Sequence, residues 1–318
     1  MKQATAIRFL AALCVVSLTL MSLPAQAAVT GAKPLPLSEG WTNDFEAARK
    51  KAAAENKNLL LDFTGSDWCG PCIRLKKTIL SRDAFRQGVK EHFMLVELDF
   101  PRDKSLLAED TMEQNRKLAE RYSIRSFPTV LLVDSEGRPF AQMNTSATEP
   151  QDYARACNEK LTTLNDRDKA FGKAEKMVGS DKAMVLFVAL EAMKLRNQHI
   201  ATFYGDVVER IRASDPDDVS GAVKTLDMRL KMENLLKDLK DLGRASKPEE
   251  ALALVENALA SGDFEGEMKQ QVAYEKVRLL RHLKQDAAAV QVAKEAVAIA
   301  PEGRWARLLE GIRLQIEK

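Results

Sequence analysis

Cysteine and histidine are scarce in this 318-residue chain: four cysteines, at 14, 69, 72 and 157, and three histidines, at 92, 199 and 282. So few cysteines exclude a disulfide-stapled scaffold. The scattered histidines do not complete the four-donor set of a closed zinc centre, so no metal is expected. Charge of one sign is also lacking, with 48 Lys+Arg against 46 Asp+Glu, and Lys2 and Arg8 near the N-terminus account for the surplus of +2. That balance gives no broad field for a nucleic acid or an anionic membrane. No Walker loop, dinucleotide glycine pattern, His-Glu-x-x-His or serine elbow is present, so no nucleotide, flavin or other bound cofactor is expected.

What the chain does have begins with a leader. Lys2 and Arg8 precede an apolar stretch from Phe9 to Leu23, and Pro24-Ala25-Gln26-Ala27 follows with the small residues that suit signal peptidase. The apolar stretch is shorter than the about 20 residues needed to span a bilayer. Residues 1–27 therefore read as a signal peptide cut after Ala27, which implies a periplasmic or otherwise exported protein with no membrane span after cleavage. Residues 28–40, with Pro34 and Pro36, read as an extended lead-in. The length predicts two domains of about 120 to 150 residues each.

The first, 41–164, mixes strand and helix signals. A helix starting at Thr42 or Asn43 precedes the apolar run Leu59-Leu60-Leu61-Asp62-Phe63, a strand buried on both faces. Apolar residues then recur at helical spacing from Ile73 to Phe85, Phe93 to Asp99 forms a second strand, and a helix covers Met112 to Tyr122. Phe127 to Val133 and Pro139 to Met143 form a hairpin around Asp134-Ser135-Glu136-Gly137, with proline at the edge. Glu149 to Leu164 closes the domain as a helix. From 165 to 318 strand signals vanish and apolar residues keep a helical period, as at Leu226, Leu230, Leu235 and Leu239. The stretch from Tyr274 to Pro301 resembles a tetratricopeptide-type hairpin, so 165–318 is expected to be all-helical and TPR-like.

Trp68-Cys69-Gly70-Pro71-Cys72 carries the chemistry. It places two thiols one helical turn apart after a buried strand, the layout of a dithiol/disulfide redox site. A helix beginning at Cys69 would set free N–H groups and the positive end of its dipole against the first sulfur, favouring thiolate. A static structural crosslink is disfavoured, because so short a loop restricts the unfolded chain little. Trp68 offers either a shield and flat apolar platform for partners or simple packing of a large ring. Cys157, on a helix, reads as a small buried filler.

The Trp-Cys-Gly-Pro-Cys run, the upstream Asp62-Phe63 pair and the downstream Phe127-Pro128-Thr129 stand in the order of the thioredoxin superfamily, which residues 41–164 resemble. The resemblance implies a thioredoxin fold, a central mixed α/β sheet flanked by helices, followed here by the helical-hairpin domain. It implies that Cys69 attacks a substrate disulfide and that Cys72 resolves the mixed disulfide, with Asp62 as the buried base. It further implies that Pro128 is cis and that Trp68, Gly70, Pro71, Phe127 and Thr129 border the bound substrate. Asp62 stands seven residues before Cys69, one more than in the commonest pattern. Gly70-Pro71 goes with reducing members near about −270 mV, whereas oxidising relatives near about −120 mV usually carry histidine there.

The expectation is an envelope enzyme, a protein-disulfide reductase or isomerase, whose partners are disulfide-bearing protein substrates, a membrane electron relay and a protein docked on the helical domain. Two alternatives are a partner-binding helical scaffold with an accessory thioredoxin-like module, and a reductant for metal- or haem-site cysteines in cytochrome maturation.

Overall fold

The computed structural model describes residues 37–146 and 149–317; the expected leader and residues 28–36 of the lead-in lie outside the described residues. The first elements are β1 (Trp41–Thr42), α1 (Phe45–Ala54), β2 (Asn58–Thr64) and α2 (Gly70–Leu75), which runs on as a π turn over Lys76–Leu80. Then come α3 (Asp83–Val89), β3 (Phe93–Asp99), α4 (Glu109–Arg121), β4 (Thr129–Val133) and β5 (Pro139–Met143). The sheet order is β1-β3-β2-β4-β5, with β3 parallel to β1 and β2, and β4 antiparallel to both β2 and β5. It is the mixed sheet expected, with β2 central. Leu59, Leu60, Leu61 and Phe63 have no exposed surface, as a strand covered on both faces requires.

Two local readings are corrected. Trp41 and Thr42 pair with Leu95 and Val96 as a short edge strand. The first helix is capped one residue later than Asn43, by Asp44, whose carboxylate accepts from the Ala47 N–H at 2.9 Å. The hairpin turn forms as read, with Gly137 at φ 83° and Asp134 accepting from the Glu136 and Arg138 N–H groups.

The helix read as Glu149 to Leu164 is in fact two. Helix α5 (Pro150–Glu159) ends at Lys160, and α6 (Leu161–Ala174) runs on past Leu164, where no glycine or proline intervenes to stop it. Next come α7 (Gly179–Ala192), α8 (Asn197–Phe203) and α9 (Gly205–Ser214). The long α10 (Ala222–Arg244) leads to α11 (Pro248–Ala260), α12 (Gly266–His282), α13 (Asp286–Val297) and α14 (Arg304–Ile316).

One apolar core extends from Trp41 through the sheet and on to Ala222. The Tyr122 ring stacks on Phe203 at 4.8 Å, and its hydroxyl donates to the Gly137 carbonyl. Buried Arg167 on α6 reaches the Asp134 carboxylate and the Tyr204 oxygen, both at 2.8 Å, while Tyr204 donates to the Pro139 carbonyl. Helices α6–α9 are thus built onto the β4–β5 hairpin. Separate apolar clusters join α10 with α11 and α12, and α12 with α13 and α14. No helix among the described residues is long and apolar enough to cross a membrane.

Candidate functional site

Strand β2 ends at the face of the sheet where the cysteines sit. Cys69 and Cys72 are joined as a disulfide, with Cα atoms 5.2 Å apart. Cys69 has extended backbone and caps α2, its Sγ accepting from the Cys72 N–H at 3.3 Å, and Pro71 occupies the first turn, where its missing N–H costs nothing. On reduction, the same N–H and the helix dipole act on the Cys69 sulfur in favour of thiolate. Cys69 keeps 5% of its surface open and Cys72 2%. Around them Gly70 and Pro71 are exposed, as are Trp68 (37%) and Ile73 (43%), so the disulfide lies at the bottom of an apolar rim.

That rim is braced from below. The Trp68 Nε1–H donates to the Phe100 carbonyl at 2.8 Å, its ring meets Phe127 edge-on at 5.8 Å, and Arg102 lies 5.3 Å over it. A Cβ at Gly65 would come within 2.6 Å of the Trp68 ring, so only glycine fits beneath it. The additional residue between Asp62 and Cys69 is taken up in the turn. Ser66 donates through both its N–H and hydroxyl to Asp99, at 2.8 and 2.5 Å. Asp67 accepts from the Asp103 and Arg102 N–H groups, and these bonds hold its carboxyl below the ordinary range.

Phe127–Pro128 is a cis peptide bond immediately before β4, and Thr129 pairs with Phe63 at the end of β2 that leads to the cysteines. Phe127 and Pro128 are half-buried on the rim. Thr129 is buried instead, and its hydroxyl donates to the Ser126 carbonyl at 2.8 Å, so it braces the proline loop from within.

Asp62 is 2% exposed, and its Oδ1 has no hydrogen-bond partner. Burial, followed by the charge of Glu97, pushes its carboxyl up to about 8, while Lys76 pulls the other way. Glu97 stands beside it on β3 in register and is itself raised by burial against the pull of Lys76. The Lys76 ammonium reaches over from the π turn to Glu97 at 2.8 Å. The site therefore holds two neighbouring carboxyls and one cation, a grouping that no motif spells out. Its signal was faint but present: Asp62 and Glu97 are each the fifth residue of a seven-residue strand, and Lys76 lies one helical turn beyond Cys72. Cys157 is fully buried on α5, and burial pushes its thiol up to about 12, which leaves it a neutral filler.

Once reduced, a cysteine pair at a helix N-terminus, with a cis proline opening the strand paired to β2 and a buried aspartate on β2 itself, has the parts for exchange between its thiolate and a disulfide and for holding the accompanying proton. Comparison with known proteins agrees. Residues 45–160 match the family described as Thioredoxin-like domain. The disulfide bond reductase DsbH of Chlamydia pneumoniae is 31% identical over 111 residues, 35% of this chain and 66% of that protein. The thioredoxin-related protein DsbJ of the same organism is 28% identical over 109 residues, 34% of this chain and 31% of that one. The chain thus spans less than two thirds of either chlamydial relative. A solved structure of a DsbH oxidoreductase is 28% identical, covering 44% of this chain and 93% of that one, with a TM-score of 0.36. The thioredoxin of Chlorobaculum thiosulfatiphilum is 31% identical over 93 residues, 28% of this chain and 71% of that protein. By this likeness and by its sheet, its cysteine pair and its cis proline, the chain belongs to the thioredoxin superfamily, and its first part is a thiol-disulfide oxidoreductase unit.

Proposed function

We propose that the whole protein is an exported protein-disulfide reductase of the cell envelope, working through Cys69 and Cys72 and re-reduced by a membrane electron relay. The observation that carries the reading is the Cys69 sulfur at the head of α2, receiving the Cys72 N–H and facing an apolar rim. Gly70-Pro71 between the cysteines supports the reducing direction, as does the name reductase borne by one chlamydial relative. The leader, Lys2 and Arg8 before an apolar stretch, supports export. In an oxidising compartment a reducing dithiol needs electrons delivered from across the membrane, hence the relay.

The Cys69 thiolate attacks one sulfur of the substrate disulfide, forming a mixed disulfide and releasing the first substrate thiolate, which takes a proton from solvent. Asp62 first yields its proton to solvent and, as the carboxylate, accepts the Cys72 proton; the Cys72 thiolate attacks the Cys69 sulfur and expels the second substrate thiolate. Two electrons pass to the substrate, and the Cys69–Cys72 disulfide is left closed. The test is insulin reduction followed by turbidity, together with the potential of the cysteine pair. A potential near about −270 mV and loss of activity in Cys69→Ser are expected; a potential near about −120 mV would reverse the direction, and full activity in Cys69→Ser would end the reading.

A further inference from the structure

Away from the disulfide, a groove of about 840 Å³ lies between the loop that leads into Pro128 and helices α8, α10 and α12. Six cations line it, Arg125, Arg196, Arg229, Lys237, Lys240 and Arg244, against two carboxylates, Glu233 and Asp241. Arg125 is tied to Glu233 at 2.8 Å, Arg229 to Glu191, and Arg244 to Asp241 at 3.4 Å. Arg196 spends its charge on the Tyr122 and Ser123 carbonyls. Lys237 and Lys240 are exposed and form no ion pair among the described residues. The floor is apolar, made by Leu195, Met232 and Leu236.

One loop links the groove to the site. Arg125 is two residues before Phe127, whose ring touches Trp68 beside Cys69. From Glu233, where Arg125 lands, to Arg244 is eleven residues of α10, roughly 17 Å of helix, the length of about five residues of extended chain.

We infer that this groove binds an acidic segment with interspersed apolar side chains, carried by the disulfide-bearing protein that the site reduces. The uncompensated cations supply the charge match, and the apolar floor distinguishes a peptide from a bare anion. The identity of the ligand as a substrate segment rests on the proposed reductase function; the binding itself does not.

The experiment uses the full oxidised chain and a fluorescein-labelled hexapeptide of alternating Glu and Leu, with Gln/Leu and Lys/Leu counterparts, read by anisotropy at about 50 mM salt. The Glu/Leu peptide is expected to bind at least tenfold tighter than either counterpart. Lys237→Glu with Lys240→Glu, both exposed at the groove and away from the cysteines, is expected to abolish that preference and leave the rate of oxidised-glutathione reduction unchanged. Equal binding of the three peptides, or a preference that survives the double reversal, overturns the inference. So does equally tight, Lys237- and Lys240-dependent binding to phosphatidylglycerol vesicles. Preference for the acidic peptide in a protein that reduces no disulfide would overturn the reductase reading and leave the groove standing.

Discussion

Replacing Asp62 by Asn removes an ionisable group from the interior without changing its size, and its consequences are calculable. The carboxyl moves from its ordinary 3.8 in the unfolded chain to about 8 in the folded one. The folded protein therefore holds this proton where the unfolded chain has lost it, and stability declines as pH rises from near 4 toward 8. The slope is about 1.4 kcal/mol per pH unit, so between pH 5 and pH 8 the oxidised wild-type protein should lose about 4 kcal/mol relative to Asp62→Asn. Groups remote from Asp62 titrate in both proteins and cancel in the difference. Urea unfolding at a series of pH values, with the Cys69–Cys72 disulfide intact, measures it. The variant should be near the wild type in acid and clearly more stable at pH 8. Parallel stability curves over that range would refute the assignment of a protonated Asp62. The same substitution should slow resolution of a mixed disulfide on Cys69 by about a hundredfold at pH 7.

Lys76→Met leaves Glu97 buried without its cation, so the pH midpoint of mixed-disulfide resolution should rise by about one unit, and an unmoved midpoint in stopped-flow traces would contradict the coupling. Arg167→Ala strands the Asp134 carboxylate between the hairpin and α6, and should cost about 3 kcal/mol in urea unfolding. Gly65→Ala pushes a methyl against the Trp68 ring, with about 1–3 kcal/mol lost and a shift in tryptophan emission.

The strands were legible wherever burial on both faces made them continuously apolar, as in Leu59-Leu60-Leu61 and Val130-Leu131-Leu132-Val133. Trp41–Thr42 was not, because two residues carry no periodicity and only pairing with β3 makes them a strand. Cys69 and Cys72 were legible at the junction of strand and helix, since that chemistry is local in sequence. The partnership of Lys76 with Glu97 depends on strand register and on a π turn, and neither is written in spacing alone. The basic groove was hidden for a related reason. Its cations come from around 125, 196 and 229–244, and the chain balances them elsewhere, so its overall charge conceals them.

The clasp of Arg167, Asp134 and Tyr204, with Phe203 stacked on Tyr122, also limits how this molecule can be divided. Cutting at residue 160, where the family match ends, would leave an aromatic ring wet and a carboxylate without its guanidinium. A shortened chain that keeps its oxidoreductase unit sound has to extend past Ser214, so the minimal catalytic body of this protein is about half again as large as its family signature.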